Sequence, residues 1–226
     1  MNTHAATRRT ALLLGGTGLV GRALLCLLLA SDRYRKVHLL VRRAAPTLPP
    51  SAKLKIHQFD FTQLPGSAPP AVDDVFIALG TTIKVAGSEE AFRQVDCDYV
   101  VNTARGALAA GAKRLAVVSA MGADPRSRAF YNRVKGEMEV AVAQLGYETV
   151  VIVQPSLLLG DRRALGQPAR RAEDLAARFL GPVSWLVPRG VRPICARSVA
   201  AAMFAEVLAA KPGVCRLKSG TMQGGD

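Results

Sequence analysis

Tyr131 and Lys135 lie four residues apart in a stretch, roughly Ser127 to Leu145, that reads as helix, so a phenol and an ammonium share one face. A free phenol titrates near about 10, too high for acid–base work at neutral pH, and a nearby ammonium favours the phenolate and lowers that value. Ser119 stands twelve residues upstream of Tyr131, at the end of the apolar run Arg114 to Val118. Its hydroxyl could hold a substrate oxygen against the phenol, and Lys135 could also bridge the ribose hydroxyls of a bound nicotinamide cofactor. Together the three suit proton transfer to or from a carbonyl or alcohol oxygen. Tyr-x-x-x-Lys alone is a common surface pattern, so its meaning depends on the elements around it.

The strongest of those elements comes first in the chain. The apolar run Ala11 to Leu14 ends in Gly15-Gly16-Thr17-Gly18-Leu19-Val20-Gly21, and a second apolar run follows to Ala30. Strand, glycine turn and helix in this order open a dinucleotide-binding βαβ unit. Gly15 allows the tight turn, Gly18 leaves room for a pyrophosphate, and Gly21 lets the helix approach the sheet. The amides of the first helical turn then face the phosphates. Arg8-Arg9 before an apolar run also resembles a secretory leader, but Arg22 and the regular glycines inside the run argue for the nucleotide loop.

Further strands are expected at Lys36 to Val41, Leu54 to Phe59, Asp73 to Leu79, Arg114 to Val118 and Glu148 to Val153, with a short last one at Val214 to Lys218. Helices are expected over Ser88 to Ala110 without interruption, Ser127 to Leu145, Arg170 to Leu180 and Arg197 to Ala210. The alternation predicts an α/β fold: a Rossmann-like, doubly wound, mostly parallel sheet with helices on both faces. The chain reads as one domain, with a core over about residues 10–156 and a small substrate-side lid over about 157–226.

That frame predicts the cofactor contacts. Arg42 and Arg43 fall where an acid would meet the ribose 2′-hydroxyl of NAD; two guanidinium groups suit a 2′-phosphate instead, which favours NADP(H). Asp60 could accept from an adenine amino group and Phe61 could flank the ring, although Asp60 could equally cap its own loop. The small residues Gly80 and Thr81, after Leu79, let backbone pass near ribose and phosphates.

Composition narrows the alternatives. The 226 residues are half hydrophobic, enough for a sizeable core, and no uncharged apolar run is long enough for a membrane span. Cys26, Cys97, Cys195 and Cys215 are far apart, and His4, His38 and His57 have no ligand spacing, so neither a disulfide frame nor a metal site is expected. A reducing, cytoplasmic setting follows. The formal charge of +13 raises nucleic-acid binding, but the cations are scattered and only one Trp and four Tyr are present, so no stacking platform is visible.

The glycine loop, Ser119 and Tyr131-x-x-x-Lys135 resemble the short-chain dehydrogenases/reductases, in their atypical or extended-like branch. A narrower resemblance is to the Tat-interacting-protein oxidoreductase group and its bacterial relatives. It rests on Leu79-Gly80-Thr81-Thr82, on Phe92-Arg93-x-Val95-Asp96-x-Asp98-Tyr99-Val100, on Ser119-Ala120-Met121-Gly122-Ala123-Asp124, on Val134-Lys135-Gly136-Glu137 and on Leu157-Leu158-Leu159-Gly160-Asp161-Arg162. The resemblance implies bound NADP(H), catalytic places for Tyr131, Lys135 and Ser119, and a nicotinamide lined by Pro155-Ser156-Leu157. Two residues depart from it: Gln154 stands where relatives carry Arg, and Ala120 where near relatives repeat Ser. Two functions fit: an oxidoreductase acting on a small carbonyl or alcohol, and a non-enzymatic NADPH sensor or regulator. The sequence leaves the substrate open, and the oligomeric state open between monomer and dimer.

Overall fold

The computed structural model describes residues 8–42, 48–63, 69–160 and 190–223. Its elements run β1 (Arg9–Leu14), α1 (Leu19–Ala30), β2 (Tyr34–Val41), β3 (Leu54–Gln58), β4 (Asp74–Ile77), α2 (Ile83–Ala86) and α3 (Glu89–Arg93). A π turn (Gln94–Asp98) joins α3 to α4 (Tyr99–Ala109). There follow β5 (Arg114–Val118), α5 (Phe130–Ala143), β6 (Thr149–Gln154), β7 (Leu158–Leu159), β8 (Ile194–Cys195), α6 (Ala196–Ala209) and β9 (Gly213–Lys218).

Seven strands form one sheet in the order β3-β2-β1-β4-β5-β6-β9. Every pairing in it is parallel. The chain starts in the middle, winds outward to β3, returns to β4 beside β1 and winds outward the other way. A crevice therefore opens where β1 and β4 diverge at their carboxyl ends, the place where such sheets take ligands.

Strand alternation decides which core each residue joins. Leu12, Leu14, Ile77, Val117 and Ile152 pack with Phe92, Val100, Val134 and Met138 on one face. Ala11, Leu13, Phe76, Ala116 and Val151 pack with Leu24, Leu28, Val199 and Met203 on the other. Both faces are covered, hence the runs of consecutive apolar residues in β1 and β6.

The doubly wound fold is as expected, and three details differ. The helix expected over Ser88 to Ala110 runs on from its Ser88 cap to Ala109 but winds through a π turn at Gln94–Asp98, which no hydrophobic spacing announces. A two-stranded parallel sheet, β7 with β8, was too short to read as a pattern. Of the segment expected as a lid, α6 and β9 belong to the layered core. The helix expected at 170–180 and most of the remaining lid lie outside the described residues.

At the amino end of the sheet a polar cluster is buried. Asp74 accepts from the Tyr34 hydroxyl at 2.6 Å and from Arg114 Nε, with Arg9 Nη1 at 3.4 Å. Its neighbour Asp73 accepts from the Thr10 amide and hydroxyl.

Candidate functional site

The glycine loop leaves β1 at the crevice. Gly15 has φ +77°, and a Cβ there would stand 2.3 Å from the Ala78 carbonyl oxygen, because the loops after β1 and β4 are in contact. A Cβ at Gly21 would stand 2.0 Å from the Gly15 carbonyl oxygen, so both residues must be glycine for the protein's own sake. Gly18 is different: a Cβ would meet nothing nearer than 3.4 Å. Its missing side chain leaves an open cradle rather than an internal fit. Gly18 also caps α1 with no side-chain hydrogen bond, and the first turn holds no acid. Amides at a helix start without a side-chain acceptor are suited to an anion. In the same loop Thr17 is exposed, Leu19 is half-buried and Val20 is buried in the core.

The second wall of the site comes from β5, α5 and the segment after β6. Ser119 follows directly after β5, its amide donating to the Val153 carbonyl at 2.8 Å. Its hydroxyl is buried with no hydrogen-bond partner among the described residues. Ser119, Ala120, Tyr131, Pro155, Ser156, Leu157 and Leu158 line one small cleft. The Tyr131 ring leans on Phe92, centroids 5.2 Å apart, which fixes the phenol on its helix. The Ser156 hydroxyl points back into the protein, donating to the Arg192 carbonyl and lying 2.9 Å from the Ser219 hydroxyl. The 155–157 segment is thus tied to the turn after β9.

Lys135 does not line that cleft. Its ammonium is 2.7 Å from Asp96 Oδ1, with side chains 3% and 1% exposed. Asp96 Oδ2 accepts the Thr81 amide at 2.8 Å. Burial alone would lower the Lys135 pKa; the Asp96 carboxylate, with Tyr131 as a smaller contributor, leaves it raised above the ordinary lysine value. Sequence reading gave Lys135 a role and named Asp96 only within the Phe92-to-Val100 motif. The available signal was a carboxylate four residues after Phe92, in the buried stripe that continues through Tyr99, Val100 and Thr103. Gly136 was also missed as a site-builder: a Cβ there would lie 2.2 Å from the Pro125 nitrogen. That contact lays the loop following Ser119 directly on the helix carrying Tyr131.

The residues expected around the adenine are distributed differently. Phe61 is 6% exposed and packs between Phe59 and Tyr99 in the core, so it does not present a ring face as expected. The exposed Asp60 carboxylate accepts from the Thr62 amide and hydroxyl and from Gln63, and these bonds hold its pKa below the usual value. It caps its own turn. Arg42 is exposed just past β2, near enough to Tyr99 to influence its phenol, and Arg43 lies outside the described residues. Leu79 is half-buried against the core and Gly80 is exposed beside it. The described residues hold no cluster of three or more metal-ligating groups.

A parallel sheet with the 3-2-1-4-5-6 winding, an open glycine cradle at its switch point and a phenol–hydroxyl cleft beside it define a dinucleotide-binding α/β protein. The chain belongs to the NAD(P)H-binding family, which it matches over residues 15–173. Its relatives include the rat protein HTATIP2, 37% identical over 183 residues (78% of this chain, 73% of the relative). Another is FMP52 of Eremothecium gossypii, 36% identical over 152 residues and 67% of each chain. These place it in the Tat-interacting-protein group of atypical short-chain dehydrogenase/reductase-like proteins. FMP52 is named as a mitochondrial protein, which lends no support to the cytoplasmic expectation. No helix among the described residues is long and apolar enough to cross a membrane. Among solved structures, the oxidoreductase ylbE from Lactococcus lactis superposes with TM-score 0.60 at 18% identity over 94% of each chain. MoeE5 in complex with UDP-glucose and NAD gives TM-score 0.66 at 16% identity, over 92% of this chain and 76% of that one. At these identities the likeness is one of fold.

Proposed function

We propose that this chain is an NADP(H)-dependent oxidoreductase that interconverts a small carbonyl compound and its alcohol. The observation that carries the reading is the buried Ser119 hydroxyl with no partner among the described residues, on the same cleft wall as Tyr131. A buried polar group is costly to leave unpaired unless a ligand completes it. A substrate oxygen between the two hydroxyls satisfies Ser119 and meets the Tyr131 proton.

The open cradle at Gly18 and the uncapped start of α1 fit a dinucleotide diphosphate, and Pro155, Ser156 and Leu157 fit the nicotinamide end. A bound nicotinamide supplies or accepts the hydride. Tyr131 donates its hydroxyl proton to the carbonyl oxygen in reduction and takes it back in oxidation. Ser119 orients that oxygen. Lys135, anchored by Asp96, keeps a positive charge beneath the phenol. The apolar wall from Pro155 to Leu158 keeps water from the reacting carbon. Arg42 and Arg43 favour the extra phosphate of NADP(H) over NAD(H).

Two measurements test this. Tyr131→Phe is expected to lower NADPH-dependent reduction across a panel of small aldehydes and ketones by about a hundredfold or more while NADPH still binds. If NADPH binds tightly but no member of a broad panel is consumed, the chain is a cofactor sensor instead. NADPH is expected to bind more tightly than NADH, and Arg42→Ala with Arg43→Ala to narrow the gap. Equal affinities in the unmutated protein overturn the cofactor preference.

A further inference from the structure

Between Arg33 and Phe59 the chain carries seven Lys and Arg residues and no Asp or Glu. Two strands gather much of that charge at one border of the sheet. Val37, Leu39 and Val41 face the layer of α1 and α6, so Lys36 and His38 on β2 face the opposite side. Lys55 and His57 on β3 face that same side, because Leu54 between them and the turn packs toward α1 and α6. His38 Nδ1 lies 2.9 Å from His57 Nε2 with the ring planes 19° apart, a hydrogen bond that ties the two strands together. Burial first, then His57 and the charges of Lys36, Lys55 and Arg35, hold the His38 pKa below its ordinary value. Burial and Lys55 do the same to His57. Lys53 donates to the Leu29 and Ser31 carbonyls at the end of α1, whereas Lys36 and Lys55 are exposed.

The same border offers backbone. β3 is the outermost strand, paired only with β2 among the described residues. The Val37 amide donates to the Lys53 carbonyl and the Phe59 amide to the Val41 carbonyl. In a parallel ladder this turns the peptide groups of residues 53, 55, 57 and 59 toward β2 and those of Ile56 outward. The Ile56 side chain is 48% exposed. An open edge is a template for a further strand, and lysines along it repel a second copy of the same edge while favouring a partner of opposite sign. Crowded like charge also destabilises the folded state, and an acidic partner relieves it.

We propose that the β3 edge docks an acidic, extended polypeptide segment, added to the sheet as a further strand. Its alternate side chains fall on the two faces of the sheet. The face shared with Lys55, and with Lys36 behind it, takes carboxylates. The face shared with Ile56 takes apolar side chains. The outward amide and carbonyl of Ile56 favour a polypeptide over a nucleic acid, whose backbone has no donor and acceptor spaced to pair with a strand. The hydrogen bond between the imidazoles holds β3 against β2, so the edge is rigid before the partner arrives.

Fluorescence anisotropy with a short labelled peptide of alternating Glu and Val tests the docking on the full chain. The wild-type protein is expected to bind this peptide and not its counterpart of alternating Lys and Val. Changing Lys36→Glu with Lys55→Glu is expected to weaken binding about tenfold or more while NADPH affinity stays at the wild-type value. Two further arms separate strand pairing from charge alone. Ile56→Pro removes the outward donor at an edge position where β2 asks for none, and should weaken the peptide about tenfold or more. A Glu–Val peptide N-methylated at every residue keeps the carboxylates, loses the backbone donors, and should lose as much on the wild-type chain, whether or not Ile56→Pro folds. No binding of the unmethylated peptide, or equal binding of the methylated one, would overturn the proposal. Tighter binding of a single-stranded RNA of equal charge would overturn it as well, by assigning the face to nucleic acid.

Discussion

Asp74 and Asp96 are both buried carboxylates paired with a cation, and they sit at opposite ends of the same sheet. Asp74, at the amino end, gathers Tyr34, Arg114 and Arg9 from three strands, all within the fold's own framework. Asp96, at the carboxyl end, links a helix to a loop beneath an exposed glycine. The first is a closed account in which every partner is structural. The second faces the crevice, where a hydroxyl has no partner among the described residues and a glycine cradle is left open. Similar chemistry thus serves the fold at one end and the site at the other, and the difference lies in which elements it ties together.

The sharpest way to break this contrast is Asp74→Ala. Removing a carboxylate that is fully buried leaves Arg114 uncompensated, and breaking a buried pair from one side costs about 3–5 kcal/mol. Urea unfolding should show that loss in full. NADPH affinity of the folded fraction should stay within a factor of about two, since distant sites that share no partners usually act independently. A large drop in affinity would mean that the two ends are energetically joined.

Next come two glycines in one loop. Gly21→Ala forces a methyl to 2.0 Å from the Gly15 carbonyl oxygen, so the loop must move and both melting temperature and NADPH affinity should fall. Gly18→Ala meets only ordinary contact, so the fold should melt within a few degrees of wild type while NADPH affinity drops about tenfold or more. If Gly18→Ala binds NADPH normally, the cradle is not where the diphosphate sits.

These glycines also mark what the sequence made legible. Their spacing, the apolar runs and the alternation of elements are local patterns, and each reappears as β1, α1 and the doubly wound order. Ser119 and Tyr131 were readable because the strand end and the helix could both be located. Asp96 was not, because a polar residue within an apolar stripe does not announce the turn that buries it, and its partner is thirty-nine residues away in sequence. Phe61 misled for a related reason: an aromatic after a strand end reads as a ring platform, whereas Phe59 and Tyr99, which bury it, come from separate places in the chain. Tertiary partners, more than propensities, separate the residues that were found from those that were missed.

A smaller effect is expected at alkaline pH, and it sharpens the amino-end half of the comparison. Burial, then the charge of Asp74, raise the Tyr34 pKa well above 10.0, as burial also raises that of Tyr147. A raised folded value gives stability that is complete below 10.0 and is lost as pH climbs past it. Melting temperature should decline above that point, and Tyr34→Phe should flatten the decline while costing about 1–2 kcal/mol at neutral pH for the lost hydrogen bond. An unchanged slope would assign the alkaline loss to other groups.

The smallest effect is expected at Asp60, and it separates two roles that the same residue could play. As a turn cap its carboxylate serves Thr62 and Gln63, all exposed, where water replaces lost hydrogen bonds readily. Asp60→Asn keeps an acceptor oxygen and should leave melting temperature and NADPH affinity both near wild type. As an adenine contact the same change would replace a charged acceptor with a weaker neutral one and weaken NADPH, while leaving ligands that lack adenine unaffected. Titrating Asp60→Asn with NADPH and with nicotinamide mononucleotide reads the two roles apart: a loss confined to the adenine-bearing ligand moves Asp60 from the fold's side of the comparison to the site's.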